Sequence, residues 1–251
     1  MNLRFDGKVV AVSGAGHGLG RATARSFAAM GARVFACDVR PEPLAETAST
    51  GGIDSAVVDL TDRAAAKAWI AAIERKAGQP VYCLVNNAGG VAGQVPQPLE
   101  DVSDAAWDRI FAVNVNAAMA LCRAAAPGMK QAREGRIVNI SSGAGLQASL
   151  TGIQAYCSAK HAVVGLTRQL AHELGPFNIT VNSVAPGFIR SNPSTELQWE
   201  SYGAEGQKAL VERIAMQRLG SAQDIANAVI FFASDLAGFV NGQIISVDGG
   251  K

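Results

Sequence analysis

The sequence predicts an α/β fold in a single domain: a doubly wound, seven-stranded parallel sheet with helices on both faces. Two observations carry this. Short runs rich in Val and Ile recur seven times with Ala-rich helical stretches between them, the order that builds a parallel sheet. The runs are continuously apolar rather than alternating, as strands covered on both faces must be. A chain of 251 residues, 49% hydrophobic and 17% charged, has enough apolar material for one such core.

Along the chain, strands are expected at residues 9–12, 34–37, 56–58, 81–85, 137–140, 179–184 and 244–247, and helices at 19–30, 62–77, 104–127, 154–174 and 223–234. The last helix follows Gly220 and Ser221 and carries Asp224 near its N-terminus, where the helix dipole favours a carboxylate. Residues 186–206 break the alternation with Pro, Ser, Asn and Gly around Trp199 and Tyr202. That marks an insertion, and the region 187–215 reads as a substrate-binding lid within the 1–251 domain. No repeat, low-complexity tract or linker divides the chain.

Lys and Arg total 22 against 21 Asp and Glu, a formal charge of +1, which gives no field to attract nucleic acid. The segment from Met1 to Gly7 lacks an apolar signal core, and no later run reads as long and uninterrupted enough to cross a bilayer. A cytoplasmic protein with no membrane partner is expected. Cys37, Cys83, Cys122 and Cys157 are widely spaced with no C-x-x-C, so buried reduced thiols are expected and no metal site.

After the first strand comes Ser13-Gly14-Ala15-Gly16-His17-Gly18-Leu19-Gly20, leading into a helix. Glycines there let the backbone turn sharply and approach a pyrophosphate, and the free N–H groups of the following helix favour its charge. A glycine cluster alone is weak, but a strand precedes it, a helix follows, and Asp38 ends the second strand: the pattern of a Rossmann dinucleotide fold. A carboxylate at that point accepts hydrogen bonds from ribose hydroxyls and repels a 2′-phosphate, so NAD is expected over NADP. Arg40 and His17 leave NADP as a weaker alternative. Asp59 and Asn87 also follow strands, where the ligand crevice of an open α/β sheet lies; turn or cap roles would explain them, and Asn86, as well.

Tyr156 and Lys160 are four positions apart in a helical stretch and so share one face. A free phenol has a pKa of about 10, and a neighbouring ammonium favours the phenolate, so the pair suits acid/base work. Ser142, after the fifth strand, is placed to hold a substrate oxygen at the tyrosine, with Ser141 competing for the role. Alone, each feature is usually surface decoration or a turn; together with a dinucleotide loop they point to chemistry.

These motifs, with Asn86-Asn87-Ala88-Gly89, Val113-Asn114-Val115 and Pro186-Gly187, resemble the short-chain dehydrogenase/reductase family over nearly the whole chain. The resemblance implies a tetrad: Tyr156 as acid in reduction and base in oxidation, Lys160 holding the ribose and lowering the tyrosine pKa, Ser142 orienting the substrate oxygen, and Asn114 holding a water beside Lys160. It implies that Gly14, Gly16, His17, Gly18, Leu19 and Gly20 cradle the phosphates and that Asp38 and Val39 meet the ribose. It further implies adenine contacts from Val58, Asp59 and Leu60, with Asn87, Ala88, Gly89, Pro186, Gly187, Ile189 and Ser191 lining the remainder with Tyr156 and Lys160. Ser13 stands where the family usually has Thr, and Ser191 where a Thr often contacts the cofactor. Ser142 and Tyr156 are 14 positions apart, one more than in many relatives, which lengthens the loop between them.

The substrate walls are expected from residues 90–97, 143–154 and 190–206, mixing Gln147, Gln154, Arg190 and Asn192 with Leu146, Leu150, Trp199 and Tyr202. Arg190 is placed to pair with a carboxylate or phosphate, suggesting a hydroxy acid, sugar or sugar acid, although such an Arg is more often solvated. The reading is an oxidoreductase moving a hydride between NAD(H) and a secondary alcohol or ketone. The nearest rival is a 3-oxoacyl thioester (acyl-carrier-protein) reductase, and a rival of another class is a non-catalytic dinucleotide-binding regulator, against which the intact tetrad argues. The resemblance also implies a homotetramer, with residues 104–127, 154–174 and the C-terminal segment at interfaces.

Overall fold

A computed structural model describes residues 3–251; Met1 and Asn2, the first two positions of the N-terminal segment discussed above, lie outside the described residues. Seven strands, β1 (Val9–Ser13), β2 (Arg33–Asp38), β3 (Ile53–Val57), β4 (Cys83–Asn86), β5 (Gly135–Ile140), β6 (Ile179–Pro186) and β7 (Ile244–Val247), form one sheet. All pairs are parallel and the spatial order is β3-β2-β1-β4-β5-β6-β7. The helices are α1 (Gly18–Ala29), α2 (Pro41–Ala48), α3 (Arg63–Ala77), α4 (Asp104–Phe111), α5 (Ala117–Ala132), α6 (Gln154–Leu174), α7 (Pro193–Ser201), α8 (Gly203–Glu212) and α9 (Ala222–Ala233).

Alternation along buried strands sends each residue to one of two helical layers. Val10 and Val12 of β1 pack with Phe27 of α1, Leu44 of α2 and Val229 and Phe232 of α9. Val9 and Ala11 face the other way, onto Trp69, Ile70 and Ile73 of α3, Leu121 and Met129 of α5 and Leu174 of α6. The two layers are the doubly wound arrangement read from the apolar runs.

Four local expectations are revised. The third strand is Ile53–Val57 rather than 56–58, because it is an edge strand with Asp54 and Ser55 exposed and does not read as an apolar run. Helix α2 was not expected, although Pro41 at its first position and Glu42 in its first turn suit a helix start. The expected helix 104–127 is α4 and α5 joined by a π turn at Ala112–Asn116, and it continues through Pro127 to Ala132. The resulting helical stretch Asp104–Ala132 is long and apolar enough to span a membrane by length and composition, contrary to the sequence reading, but its α5 half packs against α3, β4 and β5 as a core helix. The insertion after β6 contains two short helices, α7 and α8.

Candidate active site

The sheet order reverses direction between β1 and β4, and the carboxyl ends of those strands open a crevice. The β1–α1 turn forms one wall. Gly14 has φ +63°, and a Cβ there would lie 2.7 Å from Ala88 Cα, so the turn passes directly against the chain leaving β4. Ser13 fastens the two: its Oγ accepts from the backbone N–H of Asn87 at 3.0 Å and of Ala88 at 3.1 Å. The Asn87 amide donates to the carbonyls of Ser13 and Gly14 at 3.0 and 2.8 Å, so its side chain braces the loop. Two residues that belong to none of the sequence motifs hold the loop from outside. Thr47 Oγ1 donates to Ala15 O at 2.7 Å, and Arg21 Nη2 donates to Gly16 O at 2.6 Å.

Helix α1 begins at this turn with His17 as N-cap, yet no side chain caps it and its first turn carries no acidic residue. The first-turn N–H groups of Gly18, Leu19 and Gly20 are therefore left for an anion, which fits a dinucleotide pyrophosphate. His17 is half-buried, and burial, then the nearby Arg40 charge, hold its imidazole below the usual range. Asp38 is buried at the end of β2; Oδ2 accepts from Gly16 N at 2.9 Å, and Oδ1 from Arg40 N and Nε at 3.1 and 3.3 Å. Val39 beside it is exposed. Val58, Asp59 and Leu60 follow β3; Asp59 Oδ1 accepts from both the backbone and hydroxyl of Thr61, which keeps its carboxyl below the usual range. Asn86 points away from the crevice and bonds Asn139 Oδ1 at 2.8 Å, so it is a core residue.

The chemical end lies between β4, β5 and α6. In the π turn the Ala117 N–H reaches back to Ala112 O, an i to i+5 bond that widens the helix around Asn114. The buried Asn114 amide donates to Gly90 O and Ile110 O at 2.8 and 2.9 Å and accepts from Gly90 N at 3.0 Å, clamping the loop after Gly89. Lys160 is buried, with Nζ 5.7 Å from the Tyr156 ring centroid and donating to Ile140 O at 3.0 Å. The Tyr156 ring rests on Ile110, Ile153, Ala155 and Ala159, and its hydroxyl meets that of Ser142. The two serines separate cleanly: Ser141 is buried and donates to Lys160 O at 3.1 Å, leaving Ser142 facing the tyrosine.

Burial pulls the Lys160 ammonium down to about 8, so it stays mostly protonated at neutral pH. Burial also raises the Tyr156 phenol above its ordinary value, with the Ser142 hydrogen bond opposing. Burial therefore sets the direction in the free protein, opposite to the lowering by Lys160 expected from the sequence. In a difference-absorbance titration of wild type against Tyr156→Phe, the phenol should ionise above pH ~10; a midpoint below that would contradict this balance.

Pro186 ends β6, Gly187 N donates to Val247 O at 3.0 Å, and Ile189 is buried. Ser191 sits over the glycine loop: a Cβ on Gly18, which has φ +53°, would lie 2.5 Å from Ser191 O. Other substrate candidates are already engaged. Asn192 Oδ1 accepts from Thr195 N at 3.0 Å as the N-cap of α7, and Gln154 Nε2 donates to Gln97 O at 3.0 Å, tying two walls together. Arg190 donates through Nε and Nη2 to Glu196 Oε2 at 2.9 and 2.7 Å while its guanidinium lies 5.4 Å from the Trp199 ring centre. Trp199 and Tyr202 in turn pack on Phe188. Gln147 is exposed.

The sequence profile of a family described as enoyl-(acyl carrier protein) reductase matches residues 14–251, from the first glycine of the loop to the last residue. The chain belongs to the short-chain dehydrogenase/reductase family. This short-chain dehydrogenase/reductase is 35% identical to a 3-oxoacyl-[acyl-carrier-protein] reductase of Thermotoga maritima, over 99% of both chains. It is 38% identical to 2-(S)-hydroxypropyl-CoM dehydrogenase 3 of Xanthobacter autotrophicus, over 100% of this chain and 98% of that one. Among solved structures, levodione reductase superposes with a TM-score of 0.90 at 32% identity, covering 98% of each chain. As a short-chain dehydrogenase/reductase it is an oxidoreductase, and three relatives of the same length acting on different compounds show how little the frame fixes the substrate.

Proposed function

We propose that this protein moves a hydride between NAD(H) and a secondary alcohol or ketone, with Tyr156 as the acid/base group. The observation that carries this is Tyr156 with its hydroxyl toward Ser142 and the buried Lys160 ammonium 5.7 Å from its ring centroid, on the same carboxyl edge of the sheet as the uncapped N-terminus of α1. A nicotinamide dinucleotide bound along that crevice supplies the hydride acceptor or donor. Ser142 then orients the substrate oxygen, Tyr156 gives or takes its proton, and Lys160 holds positive charge beside the phenol and would hold the ribose of a bound cofactor. Asn114 keeps the loop at Gly90 in place and, through the widened turn, offers a carbonyl for a relay water.

Asp38 supports NAD: a buried carboxylate already bonded to the phosphate loop would be forced against a 2′-phosphate. Wild type should reduce NAD⁺ with secondary alcohols at kcat/KM about tenfold above NADP⁺, and Asp38→Ser should bring the two cofactors to near parity by removing roughly 1.4 kcal/mol of repulsion. A wild-type preference for NADP⁺ would overturn the assignment. A second reading, reduction of a 3-oxoacyl thioester, is favoured by the named activity of the Thermotoga relative; a panel pairing simple ketones with 3-oxoacyl thioesters decides between them. We also propose a cytoplasmic homotetramer with α4, α5 and α6 at one interface and the C-terminal segment at another, checked by light scattering.

A further inference from the structure

We propose that the part of the substrate enclosed by the pocket walls is uncharged, and that Glu196 enforces this by keeping Arg190 from an anionic substrate. The inference rests on the oxidoreductase reading and narrows it. Residues 90–97 and 143–154 contain no charged side chain. Across 186–206 the single cation is Arg190, against Glu196, Glu200 and Glu205. One edge of its guanidinium, Nε with Nη2, is spent on a single oxygen of Glu196, and one face covers Trp199, which itself packs on Phe188. Lys160, the cation beside the tyrosine, is buried and donates to Ile140 O. Across 90–97, 143–154 and 186–206 a substrate carboxylate would meet no unpaired cation and an excess of carboxylates, losing hydration without a partner. An uncharged ketone flanked by apolar carbon loses little, and the apolar side chains of these segments, Leu146, Leu150 and the Trp199–Phe188 stack, suit it.

The Arg190–Glu196 pair is partly exposed, so displacing it is cheap; the discrimination comes from net charge and from the occupied edge. Glu196→Gln keeps an acceptor for Arg190 but frees its charge. The test uses methyl acetoacetate and acetoacetate, matched except for the carboxylate, with NADH. Wild type should reduce the ester with kcat/KM at least about tenfold above the acid. Glu196→Gln should raise the acid-to-ester ratio about fivefold, and adding Arg190→Gln should cancel the rise. A wild-type ratio near or above one, or no change in Glu196→Gln, overturns the inference. Ligand-observed NMR on the NADH-loaded protein separates the two levels. Ester bound in preference to acid but never reduced upholds the uncharged pocket and counts against the proposed ketone reduction; acid bound in preference, or neither bound, sinks the inference.

Discussion

Replacing Tyr156 with Phe should lower kcat by about 10²- to 10⁴-fold, the usual worth of a positioned proton donor, while cofactor affinity stays within about twofold. The split follows from the structure. The ring is held by Ile110, Ile153, Ala155 and Ala159, and a phenyl ring fills the same space. What disappears is the hydroxyl facing Ser142, the group proposed to exchange a proton with the substrate oxygen. Stability should change by about 1 kcal/mol or less, since one hydrogen bond is lost and Ser142 keeps its bond from Ala144 N at 3.1 Å. Steady-state kinetics beside calorimetric cofactor binding reads both effects. Equal rates in the two proteins would end the case for tyrosine as the acid/base group.

Gly14→Ala should damage the other end of the crevice. Its φ of +63° costs an L-residue about 1–2 kcal/mol, and the new methyl would meet Ala88 Cα at 2.7 Å and Ala88 N at 2.9 Å. Those are backbone atoms, so no rotamer change relieves the contact. The turn must move off β4, breaking the bonds among Ser13, Asn87 and Ala88 that shape the proposed phosphate site. We expect cofactor affinity to fall about 10- to 100-fold, and Tm to drop by roughly 4–8 °C for a loss near 2 kcal/mol. Unchanged cofactor binding would mean that this turn is not the phosphate site.

The sheet was legible because its central strands are buried on both faces, which forces the apolar runs that mark β1, β2, β5 and β6. Where burial is one-sided the signal fades, as at β3, whose Asp54 and Ser55 face water. Tyr156, Lys160, Ser142 and Asp38 could be picked out because spacing on one helix and position after a strand are local properties, and the fold brings the first three of them together. What spacing could not carry was occupancy. Arg190 reads as a free cation until Glu196, six positions later, is brought onto it by the turn of α7. Asn192 likewise reads as a polar wall residue until it proves to be the cap of that helix. The supports from Thr47 and Arg21 join elements distant in sequence and leave no pattern there at all.

The widened turn at Ala112–Asn116 also acts as a phase shifter. A turn closed by i to i+5 bonds holds one residue more than the α-helical repeat, and each residue advances the surface by about 100°. Everything before it is therefore rotated relative to everything after. That is how one continuous stretch aims Ile110 and Trp107 at α6, beneath the tyrosine ring, and aims Leu121, Ala125 and Met129 into the sheet. A straight helix would have to sacrifice one of these faces. The single surplus residue lets the same rod serve as a wall of the reaction chamber at one end and as a beam of the core at the other.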